Sequence, residues 1–362
     1  MSMNSILISS RIHDYSVYFV EDSDFLLNLG DIPHSIFIVD SEVLKSHKSG
    51  SLRKIEGKDI ISLPIGEELK NLESVQRLYD KLMDSSAKRN ITIITIGGGI
   101  AQDITGYVAS TLYRGVNWIF VPTTLLAQAD SCIGSKTSLN YKNYKNLMGT
   151  FYPPQKIYIY TAFLSTQDDI NYFSGLGEVA KLHLMGGKED TKAIQDALPA
   201  VIAKDEKKLL SVVQRSLLIK KSYMEGDEFD TGRRNMLNFG HCFGHAIESA
   251  TDFAVPHGRA VIIGMMMANL IAVRKKLLSS DMEKYLAERI LIPCLKVNFN
   301  GVQFDSEKII DAMKKDKKRT GSGLALVMIQ NDYEMIRVND LSESEAAEAI
   351  SEFVLKYGRT RL

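Results

Sequence analysis

Ile91-Thr-Ile-Ile-Thr-Ile96, running into Gly97-Gly98-Gly99-Ile-Ala-Gln-Asp103, is the stretch that decides the fold. An unbroken β-prone run bounded by glycine is the pattern of a strand buried on both faces, as in the middle of a parallel sheet. Helix-like sequence follows from Asp103. Glycines let a backbone approach a pyrophosphate closely, and the N–H groups and dipole of a following helix favour the anion. A tight turn is the competing reading of three glycines. The strand before them and Asp103 after them favour a phosphate cradle.

Outward from this stretch the same alternation continues. Ser35-Ile-Phe-Ile-Val-Asp40 reads as a short strand ending in an acid, and Val116–Pro122 and Ile157–Thr161 as further strands. Between them Leu72, Val75, Leu78, Tyr79 and Leu82 fall on one helical stripe. Strands alternating with helices predict a parallel, Rossmann-like sheet covered on both sides. From about Asp168 the pattern changes to long helical periods. Leu209, Val213, Leu217 and Lys220 share a face, and 260–273 is an apolar run broken by Asn269 that is too short for a membrane span. The charged stretch Lys314–Arg319 reads as a loop before a β-prone piece, Leu324–Ile329. The expectation is therefore an α/β nucleotide-binding domain over 1–168 and a mainly α-helical metal- and substrate-binding domain over 169–362. No Pro/Gly-rich linker separates them, so they are expected to pack closely around a cleft.

The bulk properties bound the function classes. The chain has 362 residues, and 44 Lys plus Arg balance 44 Asp plus Glu, so nothing draws it as a whole to nucleic acid or to an anionic membrane. Any basic site must be local. Its three cysteines, Cys132, Cys242 and Cys294, are scattered without a C-x-x-C, which suits a reducing cytoplasm. The N-terminal residues read as no signal peptide.

A second stretch, Arg233–Met265, concentrates chemistry: RRNMLNFGHCFGHAIESATDFAVPHGRAVIIGM. His241 and His245 are four apart, on one face of a helix that ends at Ser249–Asp252, and His257 follows in a Pro256-His257-Gly258 loop. Three imidazoles with a carboxylate from elsewhere suit a divalent metal. Scattered core or surface histidines are the plainer alternative. Gly175-Leu-Gly-Glu178-Val-Ala-Lys181 puts Glu178 and Lys181 one turn apart in apolar surroundings, and Glu178 is the best candidate for the missing carboxylate. Arg234 and Asn238 precede His241 on what reads as a helical run, and Lys220 points to a partner surface or a cleft, or snorkels. Upstream, Glu67 and Lys70 suit a ribose or phosphate, and Asp130, Lys136, Asn140, Lys142, Lys145 and Asn146 among small residues suit an anion. Each of these also passes for a solvated polar surface.

Taken in order, GGGIAQDITGYVAS, YRGVNWIFVPTTLLAQADS, KTSLN with Lys145-Asn146, SGLGEVAK, and LNFGHCFGHAIE followed by His257-Gly258 resemble the 3-dehydroquinate synthase family of sugar phosphate cyclases. The resemblance spans most of the chain and is densest over 96–265. It implies NAD and one divalent metal, zinc or cobalt, with the metal on Glu178, His241 and His257, and His245 on the substrate side. It places Asp130, Lys136, Asn146, Lys181, Lys220, Arg234, Asn238 and Lys317 at substrate-contacting positions. Arg114 would reach the substrate phosphate of a neighbouring subunit, which implies a homodimer. NAD contacts fall on Asp40, Glu67, Lys70, Gly98, Gly99, Asp103, Thr123 and Thr124. The implied reaction is a carbon–oxygen lyase step of aromatic biosynthesis, closing 3-deoxy-arabino-heptulosonate 7-phosphate to 3-dehydroquinate with loss of phosphate. The alternatives are a related cyclase making another cyclitol and, further off, a metal-dependent polyol or alcohol dehydrogenase. Three positions depart from the family pattern: Ser135 for a glycine, Asp230 for a glutamate, and Arg259 for the glutamate after His-Gly.

Overall fold

The first part of the chain forms β1 (Ser5–Ile8), β2 (Tyr15–Phe19), β3 (Ser35–Asp40), β4 (Ile60–Leu63), β5 (Thr92–Gly97), β6 (Asn117–Pro122), β7 (Lys136–Tyr141), β8 (Tyr144–Phe151) and β9 (Lys156–Ile159). The computed structural model describes residues 5–85, 87–142, 144–296, 304–320 and 324–358, without the side chains of 316–320. Two units are distinguished: Met1–Gln167 with Met224–Phe229, and Asp168–Tyr223 with Asp230–Leu362.

In the first unit a seven-stranded sheet has the order β1-β2-β9-β6-β5-β3-β4. All neighbours are parallel except the edge pair β1–β2. β5 sits inside the sheet between β3 and β6, with Ile94 opposite both Phe37 and Ile119. Its Ile93, Ile94 and Ile96 are fully buried, which is why this stretch reads as an unbroken apolar run. Ile94 and Ile96 join Phe37, Val39, Ile119, Val121, Leu26 and Phe163 in the core of this unit. The chain leaves β3 toward β4 on one side and β5 toward β6 on the other. The ends of β3 and β5 are therefore a topological switch point, the crevice where open α/β sheets bind ligands.

The helix after β5 runs Gly99–Thr111, four residues earlier than the sequence reading, because its N-cap is Gly98. Asp103 thus lies in its second turn. The hairpin β7–β8 has no counterpart in the sequence reading.

The second unit is mainly helical, with an antiparallel hairpin of β10 (Leu326–Ile329) and β11 (Met335–Val338). Helix His257–Arg274 is buried along most of its length and packs against helices Asp169–Met185, His241–Ala250 and Glu343–Tyr357. A helix apolar all round belongs in a core. Two expectations are corrected here. His257 opens this helix after Pro256, so Pro256-His257-Gly258 is a helix start and not a loop. Lys314–Arg319 lies inside helix Ser306–Thr320, whose Ile309 and Met313 are buried, so the charge run belongs to a helix. Lys317 falls in that helix, and its side chain lies outside the described residues.

Candidate active site

In the α/β unit the ends of β3, β5 and β6 bring several expected residues together. A Cβ on Gly97 would lie 2.6 Å from Ala101 Cβ and 3.2 Å from Asp40 Cβ, and one on Gly98 would lie 2.9 Å from Thr124 Cγ2. Only glycine admits that approach. Thr123 N donates to Gly97 O at 2.9 Å. Thr123 Oγ1 is buried with no hydrogen-bond partner among the described residues. Asp40 caps the helix Ser41–His47, its Oδ1 accepting from Glu42 N at 2.8 Å and Val43 N at 3.4 Å. Burial raises the Asp40 carboxyl above its ordinary value despite these bonds. A side-chain-free helix start, an orphaned hydroxyl and an acid at the next strand end fit a dinucleotide.

A second group adjoins the same helix. Lys70 Nζ lies 2.5 Å from Asp103 Oδ2 and donates to Asn146 Oδ1 at 2.6 Å. Asp103 also accepts from Ser138 N and Ser138 Oγ, both at 2.9 Å. Burial pushes its carboxyl up, with Lys70 and Ser138 pulling the other way. Asn140 Nδ2 donates to Glu67 Oε1 at 2.8 Å. Hairpin β7–β8 supplies Ser138, Asn140 and Asn146, so Glu67, Lys70, Asp103 and Asn146 form one network.

Asp130 sits in a π-helical turn, Ala127–Ser131, a geometry that recurs at functional sites. Lys136 opens β7 and is exposed. Arg114 is exposed with φ +68 between Tyr113 and Gly115, also at positive φ, and makes no ion pair among the described residues.

In the helical unit, Glu178 Oε1 lies 3.5 Å from His241 Nε2 and 3.2 Å from His257 Nε2. The ligand atoms of these three residues lie within 4.8 Å of one another. Lys181 Nζ approaches Glu178 Oε2 to 2.5 Å, and both residues are almost wholly buried. Neither Glu178 oxygen has a hydrogen bond of good geometry, despite these close contacts. His241 Nδ1 donates to Phe239 O at 3.2 Å, and His257 Nδ1 to Glu248 Oε2 at 3.0 Å. Both rings thereby turn Nε2 toward Glu178, the arrangement that orients histidine ligands.

The electrostatics fit a cation. Burial alone would raise Glu178, but Lys181, His241 and His257 outweigh it and hold the carboxyl well below the usual range. Burial and Lys181 push His241 well down. Burial works to lower His257, but the close Glu178 carboxylate and the hydrogen bond to Glu248 push it up to about 10. Two carboxylates thus concentrate positive charge where a divalent ion with two nitrogen ligands and one oxygen ligand would sit.

Glycines make this geometry possible. A Cβ on Gly258 would lie 1.7 Å from Ser174 O, and one on Gly177 would lie 2.3 Å from Gly258 O. Gly258 N donates to Ser174 Oγ at 2.9 Å. Helices Asp169–Met185 and His257–Arg274 therefore cross backbone to backbone beside Glu178 and His257.

His245 is the exposed ring of the cluster, its centroid 5.2 Å from that of His241 and 5.8 Å from that of His257. Lys220, on helix Glu206–Met224, and Arg234 are buried, and Asn238 is exposed. The run from Arg234 to His241 is not one helix: Arg233–Asn238 is a 3-10 turn, and Gly240 at φ +80 breaks it from helix His241–Ala250. Arg259 lies in the first turn of its helix, with Nε buried and unpartnered among the described residues. Sequence reasoning missed Glu248 as the partner of His257. Its spacing of seven from His241, two turns along one helix, was the available signal.

Glu248→Gln is expected to leave the three ligands in place and weaken metal binding about 10- to 100-fold, because it misorients His257. Competition with a chelator reads this directly, and unchanged affinity would remove Glu248 from the site.

Sequence models of the 3-dehydroquinate synthase N-terminal and C-terminal domains match residues 60–174 and 175–319. A 3-dehydroquinate synthase of Dictyoglomus thermophilum is 33% identical over 351 residues, covering 96% of this chain and 98% of that protein. The chain belongs to the 3-dehydroquinate synthase family. A family member from Clostridium tetani, also a 3-dehydroquinate synthase, is 47% identical over 203 residues, 56% of this chain and 54% of that one. Among solved structures, a 2-deoxy-scyllo-inosose synthase complexed with carbaglucose-6-phosphate, NAD+ and Co2+ is 25% identical with a TM-score of 0.84, covering 96% and 99% of the two chains. The family's sugar phosphate cyclase fold is thus present over nearly the whole chain.

Proposed function

We propose that this chain is a 3-dehydroquinate synthase, converting 3-deoxy-arabino-heptulosonate 7-phosphate to 3-dehydroquinate and phosphate with NAD and one divalent metal. The observation that carries the proposal is the Glu178–His241–His257 donor set, two imidazoles turned by Phe239 O and Glu248 toward one buried carboxylate. When bound, NAD takes up and returns a hydride, and zinc or cobalt polarises the hydroxyl being oxidised.

The chain's own groups do the positioning. Asp40, Gly98, Gly99, Thr123 and Thr124 hold the dinucleotide, and Glu67, Lys70 and Asp103 extend that contact. Lys136, Lys181, Lys220 and Arg234 hold the carboxylate and phosphate of the substrate, and Asp130, Asn146, Asn238 and Lys317 orient its hydroxyls. His245, the exposed imidazole beside the ligands, exchanges a proton with substrate. Arg114, held out at positive φ, reaches the substrate phosphate of a second copy, so the working form is a homodimer in the cytoplasm. No helix among the described residues is long and apolar enough to cross a membrane.

The test is to incubate the purified protein with the heptulosonate phosphate, NAD and zinc or cobalt, and identify the product by NMR. 3-Dehydroquinate supports the proposal. Another cyclitol would move the substrate within the family, with Ser135, Asp230 and Arg259 as the first positions to exchange. Lys136→Ala or Lys220→Ala is expected to lower kcat/KM about 100-fold or more through lost anion positioning. NAD affinity should stay within twofold of wild type, and a matching loss of NAD binding would place these lysines at the cofactor instead.

A further inference from the structure

Glu228 lies in the short segment Met224–Phe229, which the chain contributes to the α/β unit from between two elements of the helical one. Its carboxylate accepts hydrogen bonds from two distant stretches. Ser10 Oγ donates to Oε1 at 2.6 Å, Arg11 N to Oε2 at 2.7 Å, and Ser135 Oγ to Oε1 at 2.9 Å. Ser135 is the position where the family pattern has glycine, and it adopts φ +64, directly after Gly134 at φ +117. A residue with a Cβ resists that conformation unless its surroundings hold it. Here three anchors do so: Ser135 Oγ on Glu228, Ser135 O accepting from Tyr152 N at 2.7 Å, and Gly134 N donating to the buried Tyr15 Oη at 3.0 Å. The very next residue is Lys136.

We infer that Glu228 is a positioning residue: it latches Ser135 in the left-handed turn and so sets where Lys136 presents its ammonium to substrate. Ser135 then costs this chain little, because its hydroxyl replaces by hydrogen bonding what glycine supplies by conformational freedom. The same carboxylate ties Ser10 and Arg11 to the turn, so the connection from β1 to β2 is held with it. The inference rests on the reading of Lys136 as an anion holder.

The experiment compares Glu228→Ala, Glu228→Gln, Ser135→Gly and the double variant Glu228→Ala/Ser135→Gly in the full-length protein, with NAD and zinc present. Glu228→Ala should raise KM for 3-deoxy-arabino-heptulosonate 7-phosphate about tenfold or more through misplacement of the turn, with NAD affinity unchanged. Ser135→Gly in that background should recover most of the loss, because glycine holds positive φ unaided. Glu228→Gln should recover part of it, since the amide oxygen still accepts from Arg11 N while the serine hydroxyls turn to accept from the amide nitrogen. A double variant as impaired as Glu228→Ala, or a KM for Glu228→Ala within twofold of wild type, overturns the inference. Hydrogen exchange at the Tyr152 and Arg11 amides separates this inference from the assigned reaction. If wild type has no turnover, faster exchange in Glu228→Ala, reversed at Tyr152 by Ser135→Gly, still supports the latch while the reaction assignment fails. Wild-type exchange rates in Glu228→Ala would remove the latch whatever the reaction.

Discussion

His257→Ala is expected to strip the metal from the protein and abolish turnover while leaving NAD binding intact. In the proposed site the ring would supply one of three donors, and its Nδ1 donates to Glu248, which would orient it. Removing it leaves the buried carboxylate of Glu178 with Lys181 and His241 beside it. Losing a ligand outright should weaken zinc binding by more than the roughly 100-fold seen when only an orienting partner is lost. The residues assigned to NAD lie in the α/β unit and are untouched, so dinucleotide affinity should stay within twofold. Metal content after dialysis, with NAD titration alongside, reads both effects. Stoichiometric zinc retained by the variant would sink the assignment of His257 as a ligand.

Gly258→Ala is expected to be among the most destabilising single substitutions in the chain. The added Cβ would fall 1.7 Å from Ser174 O, a backbone atom of the crossing helix that no rotamer change can move aside. The two helices must separate or tilt, and overpacking of this severity costs about 3 kcal/mol or more. At that size Tm should drop by about 6 °C or more. Separation also carries Glu178 away from His257, whereas metal–ligand distances tolerate only about 0.2 Å. Residual folded protein should therefore bind zinc poorly. A variant melting within 2 °C of wild type with full zinc occupancy would show that the crossing does not constrain the site.

What the sequence made legible has a common cause: local pattern coinciding with local structure. Ile91–Ile96 is buried on both faces and says so by being apolar throughout. Glu178 and Lys181 are one helical turn apart in both sequence and structure, and His241 and His245 likewise. The misreadings arise where one residue type serves two purposes. Pro256 and Gly258 suggested a loop, but Pro256 is the N-cap, and Gly258 is small for the sake of a helix crossing rather than a turn. Lys314–Arg319 looked like a loop because a run of charges outweighed the spacing of Ile309 and Met313. Hairpin β7–β8 was invisible because much of it is exposed and its polar residues face a network instead of a core. Glu228 carried no signal at all, since Ser10, Arg11 and Ser135 lie far away along the chain.

The measurement that bears most directly on the central claim is the ratio of phosphate released to NAD supplied. Purified protein receives zinc or cobalt, excess 3-deoxy-arabino-heptulosonate 7-phosphate, and NAD below the enzyme concentration. A cyclase returns its hydride in every cycle, so many phosphates per NAD should appear while absorbance at the NADH wavelength stays flat. Phosphate limited to one per NAD, or NADH accumulating with substrate consumed, would contradict the account and make the protein a dehydrogenase on this fold.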